Sequence, residues 1–247
     1  MFERERLYPT AITGDGATEF EKAELDAIEW AAVQQKLVGG NIMLYVPAKA
    51  SLQTSDGPLA RLSKLPDVVV ATWKTGIVSW RGGPVIAAWP SRDKLAHIVD
   101  DSRIRALCVI PWETDDTLAW RQSSDPELLG DAMEADDGIA LDPVVVVGLT
   151  HLTRMVNHAN NLGGGLDHRD AVAVLQVLRR GGYRLPADAV YTFALANGWP
   201  GRGAERLREL AGKIDSGRTV HLQGPWPLRD DVLQRWAAEA HQGAKGS

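Results

Sequence analysis

The chain has 247 residues, 45% of them apolar and 24% charged. That balance excludes wholesale disorder and suits one large domain or two small ones. No run of about 18 uncharged apolar residues occurs, so no membrane span is expected. The opening MFERERLYPT has no apolar core behind its charges, so it does not read as a secretory signal. A single cysteine, Cys108, excludes an internal disulfide and a cysteine-rich zinc site and points to a reduced, cytoplasmic setting.

The net charge of −5 is unevenly spread. Residues 1–147 carry 14 basic against 23 acidic side chains, residues 148–218 carry 10 against 6, and residues 219–247 carry 3 of each. Such a shift predicts a boundary near Asp142-Pro143, giving a loose N-terminal tail over 1–17, an α/β domain over 18–142 and a helical domain over 143–247.

In chain order, Thr18 and Glu21 form a capping-box pair for a helix over roughly 19–36. Leu25, Ile28 and Ala32 mark its buried stripe, and Gly39-Gly40 ends it. Four apolar runs of strand length follow: Ile42–Val46, Val68–Trp73, Val85–Trp89 and Leu107–Ile110. Three of them run into a proline (Pro47, Pro90 and Pro111), which has no N–H to continue a ladder. After the second, Ser91 reads as a helix cap with Leu95 and Ile98 as the apolar stripe. After the third, Thr114, Asp115 and Asp116 can cap a helix carrying Leu118. Strand, proline, cap and helix is the pattern of a βα unit. Gly76–Trp80, followed by Arg81-Gly82-Gly83-Pro84, predicts a short hairpin beside the sheet. The expected first domain is therefore α/β, with a mixed sheet of four or five strands and flanking helices.

The segment Gly83-Pro84-Val85-Ile86-Ala87-Ala88-Trp89-Pro90-Ser91-Arg92-Asp93-Lys94-Leu95 resembles the strand–turn–helix of SseB-type N-terminal domains, with Pro90 where that family usually has Thr. The earlier run Asn41–Pro47, a strand closing in Val-Pro, occupies a place where that family also has one. The resemblance spans about residues 20–112. It implies an α/β module of bacterial origin without assigned chemistry, and it carries over no catalytic residue.

The second half reads as successive helical stripes, hence an all-α domain. Leu149, Leu152, Val156 and Ala159 make the first, ended by Gly163-Gly164-Gly165. Asp167 caps the second, which holds Val174, Leu175 and Leu178 and is apolar enough to be central. Pro186 starts the third, with Val190, Phe193 and Ala194. Ala204, Leu207, Ala211 and Ile214 mark the fourth. Pro227 starts the fifth, with Val232, Leu233 and Trp236. The short turn Asn197–Gly201 resembles a helix-turn-helix connection. Arg202, Arg206, Lys213 and Arg218 on and beyond the fourth helix would then meet phosphates, although Glu205 and Glu209 among them also fit a solvated helix.

Catalytic motifs are sparse. There is no G-x-x-x-x-G-K-[ST], no G-x-G-x-x-G after a strand, no G-x-S-x-G and no H-E-x-x-H. His158 and His168, with Asp167 and Asp170, are the sharpest set for a metal-dependent hydrolase, although the spacing also fits a capped helix start. No cofactor is expected. Ligands of open α/β sheets often sit beyond the carboxyl ends of the strands, where Lys49, Ser51, Lys74, Thr75, Ser91, Arg92, Glu113 and Asp115 fall, a set that also fits helix capping and cover of the sheet edge. Nine tryptophans are present. Trp73, Trp89 and Trp112 fall at one edge of the expected sheet with Trp80 close by, and Trp is enriched where proteins meet. These features predict a non-enzymatic binding or regulatory module acting through protein–protein contact, with Trp80 and Trp112 as its surface. The alternatives are nucleic-acid binding by the helical half and metal-dependent hydrolysis.

Overall fold

A computed structural model describes residues 8–14, 20–52, 56–134, 140–163 and 165–243. The chain divides into two compact units, residues 1–136 and 137–247.

The β-branched and apolar runs of the first unit become six strands: β1 (Thr10–Ile12), β2 (Ile42–Val46), β3 (Val68–Thr72), β4 (Gly83–Ala88), β5 (Ile104–Ile110) and β6 (Glu127–Leu128). They form one sheet in the order β3-β2-β4-β5-β1-β6. Every pairing in it is parallel. The helices are α1 (Phe20–Val38), α2 (Pro58–Leu62), α3 (Arg92–Ile98) and α4 (Thr114–Ser124), with a short 3-10 turn at Lys49–Leu52. The α/β class is as expected. The sheet is larger than four or five strands, and it is parallel rather than mixed. Two short strands account for the extra number. Residues 10–12 lie within the expected loose tail but pair with both β5 and β6, and they stay buried.

Alternation along the strands divides the core in two. Ile42, Leu44, Val46, Ile86 and Ile110 face α1 and α2, where Ala23, Ala27, Trp30, Leu59 and Leu62 cover them. Met43, Tyr45, Val85, Leu107 and Val109 face the other way, onto Leu95 and Ile98 of α3 and Trp120 of α4. Period-two burial with helices on both faces explains the nearly continuous apolar runs.

The predicted hairpin at 76–84 is absent. Between β3 and β4 the chain instead crosses the α3 side of the sheet without a helix, and only an isolated bridge joins Thr72 to Gly76. Trp80 fills the space a helix would have covered, at 3% exposure. Its Nε1 donates to the Asn41 carbonyl at 2.8 Å. The Arg103 guanidinium lies 5.8 Å from its ring centroid and donates to the Trp80 carbonyl at 3.1 Å. Where the crossing ends, Gly82 and Gly83 pass so close to Gly40 that a Cβ on Gly40 would lie 2.1 Å from the Gly82 carbonyl oxygen. That approach, with φ of +86°, needs glycine.

Of the sequence-predicted caps, the Ser91 cap of α3 changes. Thr18 lies outside the described residues. Ser91 sits at the N-cap of α3 but makes no capping bond. Its hydroxyl donates to Asp93 at 2.6 Å, and Asp116 of α4 accepts from the Arg92 N–H at 3.4 Å.

The described residues of the second unit contain helices and no strand: α5 (Pro143–Met155), α6 (Gly165–Arg180), α7 (Ala187–Ala196), α8 (Gly201–Asp215) and α9 (Val232–Gly243). The last begins at Val232 rather than at Pro227. Asp142 caps α5 through the Val144 N–H at 2.8 Å. Asp167 falls inside α6 rather than capping it, and accepts from Asn157 N at 3.0 Å and Asn160 Nδ2 at 2.7 Å. The apolar face of α6, Ala171 to Leu175 with Leu178, is buried and packs on α5 and α8.

Two carboxylates, Glu24 buried and Asp215 half-buried, give stability a predictable pH dependence. Glu24 of α1 is 3% exposed, and its Oε2 accepts the Leu59 N–H at the start of α2 at 2.9 Å. Burial raises its pKa, against the pull of that hydrogen bond. A carboxyl that holds its proton more tightly when folded destabilises the fold as pH rises through its folded pKa. Glu24→Gln therefore melts higher than the wild type at pH 7, and the gap closes as the buffer is taken down to pH 4; melts across that range check it. Asp215 behaves oppositely. Burial alone would raise its pKa, but the Leu185 N–H at 3.0 Å and the Arg184 and Arg179 guanidinium groups outweigh it and lower it. Its contribution is complete above the ordinary aspartate range and is lost as pH falls through the lowered value. Asp215→Asn lowers the melting temperature at pH 7, and the deficit shrinks in acid.

Candidate binding cleft

In a parallel sheet all carboxyl ends lie along one edge. The connection leaving β2 leads through α2 to β3 on one side, and the connection leaving β4 leads through α3 to β5 on the other. Because β2 and β4 are neighbours, their connections part at this edge and leave a crevice, the place where open α/β sheets bind ligands. A cleft of about 610 Å³ lies there. Pro47 and Ser51 follow β2, and Trp73 follows β3. Trp89 and Ser91 follow β4. Trp112 and Glu113 follow β5, Asp116 comes from α4, and Phe20 comes from the start of α1.

Aromatic rings dominate the walls. The centroids of Phe20 and Trp89 are 5.2 Å apart, and those of Phe20 and Trp112 are 5.9 Å apart with their planes at 77°. Trp89 and Trp112 meet edge to face at 6.5 Å and 86°. This is the arrangement that ring quadrupoles favour. Trp112 is nevertheless 57% exposed, so most of its surface is uncovered.

Trp89 holds the cluster in place at a cost. Its φ is +58°, a left-handed conformation that disfavours any side chain with a Cβ by roughly 1–2 kcal/mol. The backbone is fixed there by the Trp89 N–H, which donates to the Ile110 carbonyl at 2.7 Å. The turn carries the chain from β4 towards Ser91 and leaves the indole beside Phe20 and Trp112.

The indole N–H groups separate the wall tryptophans from the structural ones. Trp30 donates to Glu127 at 2.8 Å, Trp80 to Asn41 at 2.8 Å and Trp199 to Thr153 at 2.9 Å. The Nε1 atoms of Trp73 and Trp89 are buried with no partner. A buried donor left unsatisfied costs about 1–3 kcal/mol, and here both belong to rings of the cleft wall.

The sequence-predicted residues distribute as follows. Trp112 and Ser91 line the cleft. Trp80 does not, because it is needed to seal the face of the sheet between β3 and β4; its reading as a contact surface is corrected. Lys74 and Asp115 are exposed beside the cleft, and the carboxylate in the wall is Asp116, one residue on. Arg92 lies in the first turn of α3 outside the wall, joined to it through Asp116. Trp73 and Trp89, read from sequence as sheet-edge tryptophans, also line the cleft, and so do Ser51 and Glu113 from among the residues beyond the strand ends; Phe20, Pro47 and Asp116 were not singled out as site residues. The adjacency of Trp89-Pro90 and Pro111-Trp112 to strand ends was a usable signal, but Phe20 precedes the two tryptophans by 69 and 92 positions in the chain.

On the helical unit, Arg208 pairs with Asp188 and Glu205 at 2.7 and 3.0 Å, and Lys213 lies 3.7 Å from Glu209. Arg206 donates to the Asn161 carbonyl at 2.7 Å. Arg202 and Arg218 are exposed. The turn before α8 is anchored by Trp199, which is 2% exposed. The cations of α8 thus serve the fold of the unit itself. His158 Nε2 donates to the Thr153 carbonyl at 3.0 Å, and its ring packs on Trp199 with centroids 5.1 Å apart. Asp170 pairs with Arg169 at 2.7 Å. Among the described residues no group of His, Cys, Asp and Glu could hold a metal ion, so His158, His168, Asp167 and Asp170 do not assemble a centre. Burial pushes the Cys108 thiol far up, away from reactivity. Among the described residues no helix is long and apolar enough to cross a membrane.

Residues 141–237 match a family described as Domain of unknown function (DUF1889). That stretch lies within the helical unit, so the cleft is outside the match. No curated protein and no solved structure matches the chain.

Trp80 and Trp112 should therefore part company on mutation. Trp80→Ala opens a core void and costs about 3–5 kcal/mol. Trp112→Ala loses ring-edge contacts alone, about 1 kcal/mol. Urea unfolding midpoints of the two variants measure the difference.

Proposed function

We propose that the protein is a non-enzymatic binding module that acts by contact with another protein, the partner engaging the aromatic cleft at the carboxyl end of the sheet. One observation carries this reading. The cleft at the β2/β4 crevice is walled by aromatic side chains, of which Phe20 and Trp112 are exposed, Trp89 has a strained backbone, and Trp73 and Trp89 bury N–H groups that lack acceptors. Rigid aromatic anchors in a concave, mainly apolar wall are the features that concentrate binding energy at protein interfaces. The resemblance of residues 20–112 to SseB-type N-terminal domains belongs to the same reading, as does a bacterial, cytoplasmic setting. A regulatory role follows if occupancy of the cleft, rather than chemistry in it, is the output.

The test is capture by tagged full-length chain from host lysate, with and without nuclease. Wild type, Trp112→Ala and, as a control from the helical unit, Trp226→Ala are compared. A protein that survives nuclease, stays with Trp226→Ala and is lost with Trp112→Ala is expected. Retention by Trp112→Ala removes the cleft from the interaction. Material released by nuclease and by high salt would transfer the function to the exposed Arg202 and Arg218 of the helical unit.

A further inference from the structure

The wall of the cleft has a chemistry of its own. Its ionisable side chains, Glu113 and Asp116, are both carboxylates. Glu113 is exposed at the N-cap of α4, and Asp116 sits one turn on, half-buried. The basic residues at this edge, Lys49, Lys74 and Arg92, stand outside the wall, the two lysines in solvent and Arg92 half-buried beside Asp116. Trp112 meets both Phe20 and Trp89 nearly at right angles, and the three rings offer electron-rich faces. Ring faces beside carboxylates form a site for an organic cation. The surrounding unit has the same sign, since residues 1–136 carry 14 basic against 21 acidic side chains, and a net negative unit steers a basic partner towards it.

The orphaned N–H groups of Trp73 and Trp89 add a second requirement, for an acceptor. An arginine residue within a chain satisfies both. Its planar guanidinium stacks on indole and presents a fork of donors to carboxylates, and its flanking peptide carbonyls accept hydrogen bonds. A lysine ammonium would meet the carboxylates but stack poorly. We infer that the cleft is an arginine-reading site: the partner inserts an arginine side chain between the Trp89/Trp112 faces and the Glu113 and Asp116 carboxylates. This rests on the reading of the cleft as a protein-binding site.

The experiment uses 15N-labelled full-length protein and follows the indole N–H resonances, assigned by single Trp→Phe variants. The probes are N-acetyl-L-arginine amide, its neutral isostere N-acetyl-L-citrulline amide and the anionic N-acetyl-L-glutamate amide. The arginine probe is expected to move the Trp89 and Trp112 resonances saturably, with Trp73 or Trp89 shifting downfield as its N–H gains an acceptor. The citrulline probe is expected to bind at least tenfold more weakly, and the glutamate probe more weakly still. Glu113→Gln with Asp116→Asn, in which the amide can still accept from the Arg92 N–H, is expected to cut arginine-probe affinity at least tenfold. Trp112→Ala, which leaves both carboxylates in place, is expected to do the same. Citrulline or glutamate binding as tightly as arginine overturns the arginine assignment and leaves the cleft as a binding site. Silence of the wall resonances to all three probes overturns both.

Discussion

The parallel pairing of β2 with β4 is the constraint on which the rest depends. It seats two strands side by side whose onward connections run in opposite directions, so no connection can close over their carboxyl ends. The residues that follow those strands, Pro47 to Ser51 on one side and Trp89 to Ser91 on the other, become the two walls of an opening. The prolines after β2, β4 and β5 sharpen the edge, because each ends its ladder and turns the chain out of the sheet. Buried aliphatic residues on both faces make that arrangement rigid. The side chains at the edge are therefore held by the core rather than by one another.

Within that frame, the tryptophans divide by how their N–H groups are satisfied rather than by position in the chain. Trp30 ties α1 to β6 through Glu127, and Trp80 ties the β3–β4 crossing to Asn41. Each does the work of a structural polar contact. Trp73 and Trp89 bury the same donor without return, and Trp89 does so from a backbone conformation that most residues avoid. Unsatisfied donors on two residues of the wall, and strain at one of them, are sustained because the surrounding sheet over-determines the geometry. Such a combination is the feature on which the proposed binding role rests.

The sequence shows the strands well where they are long and apolar. Ile42–Val46 is read to the residue, because alternation is hidden but β-branched content and Pro47 are not. Helices α6, α7 and α8 are legible for the corresponding reason, their 3.6-residue stripes being bounded by glycine or proline. What escapes is set by pairing at a distance. Thr10–Ile12 is too short to signal, and becomes a strand only because β5 and β6 flank it. The run Ile77–Trp80 looks like a strand, but the missing helix between β3 and β4 leaves a hole that Trp80 fills. For the cleft, the carboxyl-end location of Trp112 and Ser91 follows from local punctuation. The convergence of Phe20 with Trp89 and Trp112 follows only from the sheet order, which no local pattern encodes.

The same logic limits what charge counts mean in the helical unit. Its basic excess suggested an anionic partner, yet the exposed cation density on α8 is largely matched within the unit. Arg208 is held between Asp188 and Glu205, Lys213 faces Glu209, and Arg206 reaches back to the loop carbonyl of Asn161. Each pair is worth little alone at a solvated surface, but together they orient α8 against α7 and the turn that Trp199 anchors. A guanidinium already committed to two carboxylates must leave them to meet a phosphate, so the free energy of any such encounter is reduced by what it breaks. In the α/β unit the balance runs the other way. Glu113 and Asp116 line a wall whose residues include no cation, with Arg92 beside Asp116 outside it, and the proposed arginine of a partner is what would complement them.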